Sequence, residues 1–425
     1  MDGEQTHSGH SELARRLDTG DAVVIGLGSM MGAGVFAAFG PAARAAGAGL
    51  LLGLVLAAAI AYCNATASAQ LAAVYPTSGG TYIYGRERLG AWWGFVAGWG
   101  FLIGKTASCA AMALTVASYT LPGPWWAQRI VAVAAVVVLT ALNYRGITKT
   151  VTLARILVAC TLIALAAVVI GIAIAGVQLS NLSGAGGWSS ATVYGVLQSA
   201  GLLFFAFAGY ARIATMGEEV RDPARTIPKA IIVALAIAVV VYLVVGVAAL
   251  LAAGPERLAR AAAPLAEAVR VAGAAPLVPV VAVGGALASL GALLALIAGV
   301  GRTTLAMARH RDLPGWLAAV HQRYQVPHHA EIALGVVVCV LAATADLRSV
   351  IGFSSFGVLI YYAIANASAY TQPRAQRRWP RALNVCGVAG CLLLVATLPW
   401  QSVVVGLGVF AIGLAGRAIA LRQRR

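Results

Sequence analysis

The sequence predicts an all-α membrane protein of about twelve transmembrane helices, and three observations carry the prediction. Of 425 residues, 60% are apolar and only 10% are charged. A soluble domain keeps roughly a quarter of its residues charged, so the outer surface of this chain is expected to face lipid. The apolar residues gather in segments of about 20, the length that crosses a hydrocarbon core as a helix. The basic residues stand between those segments, where membrane topology is written.

The segments lie near 21–43, 46–75, 91–120, 127–143, 151–177, 191–216, 229–253, 275–307, 330–345, 349–370, 382–397 and 400–420. The ninth is short, and the break between the last two rests on Pro399, Trp400 and Gln401. Residues 1–20 are polar, with no apolar stretch of the kind a cleavable leader carries. An even span count places both ends on one side. With the N-terminus inside, cytoplasmic segments and span ends collect 23 of the 30 Lys and Arg residues, the other face six, and one sits mid-membrane. The expectation is a multi-pass protein of the cell (inner) membrane with both termini cytoplasmic. The longest connections, around 254–274 and 308–329, leave no room for a soluble domain, so any function is built among the helices.

Several classes fall away. The net charge of +16 comes from residues placed singly or in twos and threes, without the basic runs that nucleic acid would require. Cys63, Cys109, Cys160, Cys339, Cys386 and Cys391 sit in apolar stretches at irregular spacing and read as small core residues. No nucleophile–base pair, phosphate loop or HExxH motif points to an enzyme, and nothing implies a cofactor or metal. His328 and His329 beside Glu331 fall short of a ligand set. A channel would need a repeated pore loop or a ring of acids, and neither occurs.

Interruptions inside the spans are the next signal. The first span carries Gly26, Gly28, Gly32 and Gly34 within nine residues, each lowering helix stability by roughly 1 kcal/mol. The sixth span has Gly209 at mid-depth, ringed by Phe204, Phe205, Phe207 and Tyr210. Small residues in membrane helices also serve close packing. However, the first and sixth spans hold the same position in two successive five-span blocks, which points to an inverted-repeat transporter. The corresponding division is a tail at 1–20, a five-helix repeat at 21–177, a second at 191–370, and two extra helices with a basic tail at 382–425. Broken helices expose backbone near the midplane, which is tolerated only where it lines a cavity. Their N–H groups suit a carboxylate and their carbonyls an ammonium. An amino acid has both.

Four stretches in register carry a resemblance. Gly28-Ser29-Met30-Met31-Gly32-Ala33-Gly34-Val35-Phe36 resembles the first-helix signature of the amino acid–polyamine–organocation superfamily, and Pro76 to Tyr84 is similar to its motif after the second span. Gly217 to Pro223 with Ile227 to Ala230, and Gly301 to Arg309 followed by Asp312-Leu313-Pro314, match as well. The resemblance spans residues 20–330. It implies a five-plus-five inverted repeat of the leucine-transporter type with two C-terminal helices, carrying amino acids by alternating access. It also implies that the substrate carboxylate meets the amides of Gly32, Ala33 and Gly34. The amine would meet carbonyls near Met30, Phe204, Phe205 and Ala208, beside Gly209, with Phe205 as the gate. The alternative is an exchanger of amines, polyamines or cationic amino acids. Protons or sodium are the candidate coupling ions.

Two departures bear on substrate and coupling. Many relatives place an acid where this chain has Ala211, followed by Arg212, which weighs against a strictly cationic substrate. Some proton-coupled members hold a lysine in the fifth span, where counting from Gly146 gives Thr161. Lys105, by contrast, lies 14 residues into the third span, roughly 20 Å along the helix and near the midplane. An ammonium there costs several kcal/mol unless it is paired or wet, and such residues tend to be functional. Lys105 is therefore the candidate for the internal cation that Thr161 does not supply, with pairing to backbone carbonyls as the structural alternative. Glu218 and Glu219 are expected to pair locally with Arg221 and Arg225. Asn64, Gln70 and Asn143 are expected to join helices, and Ser289, Thr303 and Thr304 either line a sodium-type site or bond their own backbone.

Overall fold

The structure is a computed structural model that describes residues 17–76, 79–145, 151–182, 187–188, 191–217 and 219–423. Asp18 opens the first helix with a reciprocal cap: its carboxylate accepts the Asp21 amide at 2.8 Å, and its own amide donates to Asp21 at 3.4 Å. Helix α1 (Thr19–Met30) is followed by α2 (Ala33–Ala37) and α3 (Phe39–Ala46), the latter pair joined through Ala38 in helical conformation. Gly47, at φ +57°, ends α3. There follow α4 (Leu50–Val74), α5 (Thr81–Leu89), α6 (Ala91–Thr120), α7 (Trp125–Tyr144) and α8 (Val151–Ala175). The second half holds α9 (Val193–Phe207), α10 (Ala211–Ala214), α11 (Pro223–Arg260), α12 (Pro264–Val271) and α13 (Val278–Arg309). It closes with α14 (His328–Thr344), α15 (Leu347–Tyr370), α16 (Arg381–Thr397) and α17 (Trp400–Arg422).

Among the described residues, ten helical stretches are long and apolar enough to cross a membrane, and α14 and α16 are shorter apolar helices of 17 residues each. The chain is a multi-pass helical membrane protein. One connection is more ordered than its composition indicates. Around 254–274, where a loop was expected, Gly254 turns the chain at φ +70°, Pro255 starts a new helical stretch to Arg260, and Pro264 opens α12. Proline fits the first turn of a helix because its missing N–H would have no partner there. The buried Leu258, Leu265 and Val269 hold these pieces against the core.

Burial separates a centre from a rim. The apolar window of α6 is 94% buried, whereas those of α7 and α17 are 17% buried, so Lys105 rides on the most enclosed helix. Outward-facing residues such as Ile130 and Val138 on α7, Ile163 and Ile174 on α8, and Leu407 and Ile412 on α17 form an apolar surface suited to lipid. Packing follows a pattern: α4 lies on α11, α6 on α13, α7 on α14, and α1 and α2 against α9 and the turn after it. Polar side chains join helices where expected. Asn366 Nδ2 donates to Asn64 Oδ1 at 2.6 Å, Asn143 to the Leu294 carbonyl at 3.1 Å, and Gln70 to the Ala369 carbonyl at 3.4 Å.

Candidate functional site

The first span is interrupted at Met31 and Gly32. The Met31 amide closes α1 on the Leu27 carbonyl at 2.7 Å, Gly32 takes a non-helical ψ of −135°, and α2 begins at Ala33. Gly32 is required there: a Cβ would lie 2.5 Å from that of Ala292 on α13. The amides of the new first turn have no carbonyl one turn behind them. Gly32, Ala33 and Gly34 are all buried.

The sixth span departs from expectation. Phe204 to Phe207 are α-helical, the last turn of α9, and the irregularity is a tight 3₁₀ turn at Ala208–Tyr210 before α10. One glycine, against four in the first span, tightens the helix without unwinding it. The two interruptions cross backbone to backbone. A Cβ on Gly209 would stand 2.4 Å from the Ser29 carbonyl, and one on Gly34 would stand 2.5 Å from the Ala206 Cα.

Carbonyls at this crossing accept side-chain donors from neighbouring helices. The Tyr242 hydroxyl on α11 reaches the Met30 carbonyl at 2.7 Å and that of Ala206 at 3.1 Å. Lys105 Nζ donates to the Ala208 carbonyl at 3.0 Å, which Tyr362 on α15 also approaches at 3.3 Å. Tyr119 on α6 donates to Phe36 at 2.7 Å and accepts the Leu265 amide of α12 at 3.3 Å. Lys105 thus pairs with a backbone carbonyl, and that carbonyl belongs to the interruption. The two readings of Lys105 meet at one bond. The tyrosines left no trace in the sequence, because a lone Tyr in an apolar span reads as core.

A cavity of about 420 Å³ lies below the crossing, between α1, α8, α10 and α13. Gly28, Ser29, Met31, Thr161 and Arg212 contribute to its wall. A chamber of about 40 Å³ beside it is lined by Lys105, Ala208 and Gly209, and shares Ser29, Arg212, Ala295 and Arg302 with the larger space. Thr161 Oγ1 bonds its own backbone at Leu157, 2.8 Å away. Met30, Gly32, Ala33, Gly34, Phe204 and Phe205 line neither space. Phe205 is 7% exposed, and the Phe204 ring packs edge-on against Tyr362 at 5.7 Å. The structure therefore brings Lys105, Thr161, Ala208 and Gly209 to open space and keeps the other predicted residues under cover.

The mouth of the cavity lies at the end of the bundle that carries Leu17, whose backbone pairs with Glu219 and Arg221. Asp21 on α1 and Arg155 on α8 form an ion pair at 2.6 Å. Glu219 pairs with Arg302 of α13 at 3.5 Å, not with Arg221 or Arg225, and Arg225 pairs with Asp222 at 3.8 Å. A long-range partner replaces the local ones because α13 ends beside the segment after α10. Glu218 lies outside the described residues. Thr303 and Thr304 bond their own backbone at Gly299 and Val300, whereas the buried Ser289 hydroxyl has no partner among the described residues.

Comparison with known proteins places a family around this chain. A family model for amino acid permeases matches residues 17–414. An uncharacterized transporter of Mycobacterium tuberculosis is 60% identical over 417 residues, 97% of this chain and 94% of its own length. A branched-chain amino acid permease of Bacillus subtilis is 26% identical over 439 residues, 96% of this chain and 93% of its own. The mitochondrial cationic amino acid transporter 3 of Arabidopsis thaliana is 27% identical over 389 residues, 86% of this chain and 63% of its own.

Proposed function

The chain belongs to the amino acid permease family, and on that premise we propose a secondary active transporter of amino acids that works by alternating access. The protein sits in the cell (inner) membrane with both termini cytoplasmic. Its helices form two inverted five-helix repeats, 21–177 and 191–370, followed by two more. The packing of α4 on α11, α6 on α13 and α7 on α14 supports this reading. In each pair the partners hold equivalent positions in the two halves, as elements flanking a pseudo-two-fold axis do.

One observation carries the proposal: the interruptions at Met31–Gly32 and Ala208–Tyr210 cross with their backbones in contact, and carbonyls at the crossing accept side-chain donors from neighbouring helices. The substrate carboxylate binds the amides of Gly32, Ala33 and Gly34. Its amine takes carbonyl sites near Met30, Phe204, Phe205 and Ala208, beside Gly209. A carbonyl oxygen has two lone pairs, so a bond from Tyr242 does not close Met30 to a second donor. Phe205, buried on the far side of the cavity, is the gate. On this reading the cavity that reaches Leu17 is the passage on the cytoplasmic side.

Lys105 couples substrate to protons. Its ammonium holds the Ala208 carbonyl in place and adds a positive charge beside the site, so that proton and substrate load together and leave together. Thr161 lines the same cavity without a charge to offer.

Purified protein in liposomes, given labelled amino acids and amines with and without pH and sodium gradients, tests the proposal. Uptake driven by acid outside is the expected result. Exchange of amines alone, indifferent to either gradient, would establish the exchanger instead.

A further inference from the structure

The charges around the proposed binding site favour one class of substrate. The cavity and its side chamber present Lys105, Arg212 and Arg302, and one carboxylate, Glu219, among their described lining residues. Glu219 is taken up by Arg302 at 3.5 Å. Lys105 is held by the Ala208 carbonyl. Arg212 contributes to both walls, and its guanidinium has one modest contact, the Thr215 hydroxyl at 3.4 Å. Among the described residues no carboxylate pairs with it.

Arg212, on α10 just past the 3₁₀ turn, lines the small chamber together with Ala208 and Lys105 and also lines the larger cavity. It therefore points to the space below the carbonyl that Lys105 occupies. Glu219 acts on this guanidinium only at longer range and is itself bound to Arg302, so no direct ion pair neutralises Arg212, and its planar fork matches a carboxylate with two parallel bonds. A lysine or arginine side chain entering here would instead meet Arg212 and Lys105 as like charges. Neutral side chains would leave the guanidinium unpaired.

We infer that the substrate is an acidic amino acid whose side-chain carboxylate is received by Arg212. The inference rests on the transport reading above and deepens it. The α-carboxylate and amine engage the backbone at the crossing, and the second carboxylate extends towards the cavity mouth and completes the ion pair that Arg212 lacks. Arg302, already paired, sets the positive potential around the entrance.

The test uses the full chain in liposomes with labelled glutamate, leucine, lysine and succinate. Glutamate is expected to enter in preference to lysine, with succinate a poor competitor because it has no amine. In Arg212→Gln the preference for glutamate over lysine should fall by about tenfold or more, the loss expected for one charge-assisted contact. Arg212→Lys should restore part of it, which separates charge recognition from a folding defect. Uptake of leucine or lysine without glutamate would overturn the inference and leave the transport reading intact. Succinate competing as well as glutamate would overturn it too. If no amino acid moves, both readings fall.

Discussion

The Tyr242 hydroxyl spans two helices at once, lying 2.7 Å from the Met30 carbonyl and 3.1 Å from that of Ala206. One proton thereby serves the end of α1 and the last turn of α9. Tyr242→Phe removes only the oxygen, since the ring keeps its place beside Phe207 at 5.1 Å between centroids. Two buried carbonyls then lose a donor, at a cost of about 1–3 kcal/mol. The variant should melt at a lower temperature in detergent. An unchanged melting curve would mean the bond does not hold the crossing together.

Lys105→Met removes the ammonium from the Ala208 carbonyl and keeps the volume of the stem. Uptake driven by an acid-outside gradient should be lost. Full pH-driven uptake by this variant would end the proposal that Lys105 carries the proton.

Backbone contact at the crossing predicts sharp intolerance of a methyl group. Gly34→Ala and Gly209→Ala each place a carbon about 2.5 Å from main-chain atoms of the other helix, and neither backbone can swing aside as a side chain would. Overpacking of this kind costs about 1–3 kcal/mol or more. Gly408→Ala on α17, with nothing within 4 Å of the new carbon, is the matched control. Folded yield on size exclusion should drop for the first two and hold for the third.

Asp312 forms an ion pair with Arg417 at 3.0 Å and accepts from Tyr82 at 2.8 Å and Arg86 at 3.3 Å. Arg417 is 7% exposed and lies over the rings of Trp92 and Phe95 at 4.8 and 4.7 Å. Breaking a buried pair from one side costs about 3–5 kcal/mol. Asp312→Asn should therefore destabilise more than Arg417→Met, which leaves Asp312 two partners. The double variant should cost less than the two single effects together. Thermal unfolding of the four proteins in one detergent measures it.

Much of the architecture could be read from composition, because a bilayer imposes length and polarity on whatever crosses it. The apolar segments, the burial of Lys105 and the helix-joining roles of Asn64, Gln70 and Asn143 all follow from that constraint. The four glycines of the first span marked a break, and the break lies among them. Other features depended on partners distant in the chain. Nothing near Glu219 announces Arg302, and nothing near Met30 announces Tyr242. The helical stretch at Pro264–Val271 reads as a connection because it is short and holds charges, yet its buried face gives it order. The sixth span was read as interrupted by its position in the second five-span block, and its single Gly209 allowed the helix to tighten.

The tyrosine and lysine donors at the crossing bear on how the empty protein behaves. A carrier that released its cargo and was left with bare carbonyls in a dry interior would need a new passenger before it could turn over, and its traffic would be locked one for one. Here the protein's own Tyr242 and Lys105 supply donors to the carbonyls of Met30, Ala206 and Ala208. Under the proposed transport function such a carrier returns without filling its backbone from outside, which favours net accumulation over obligatory barter. Efflux from preloaded liposomes into buffer without substrate should then run close to the rate seen with substrate on the far side.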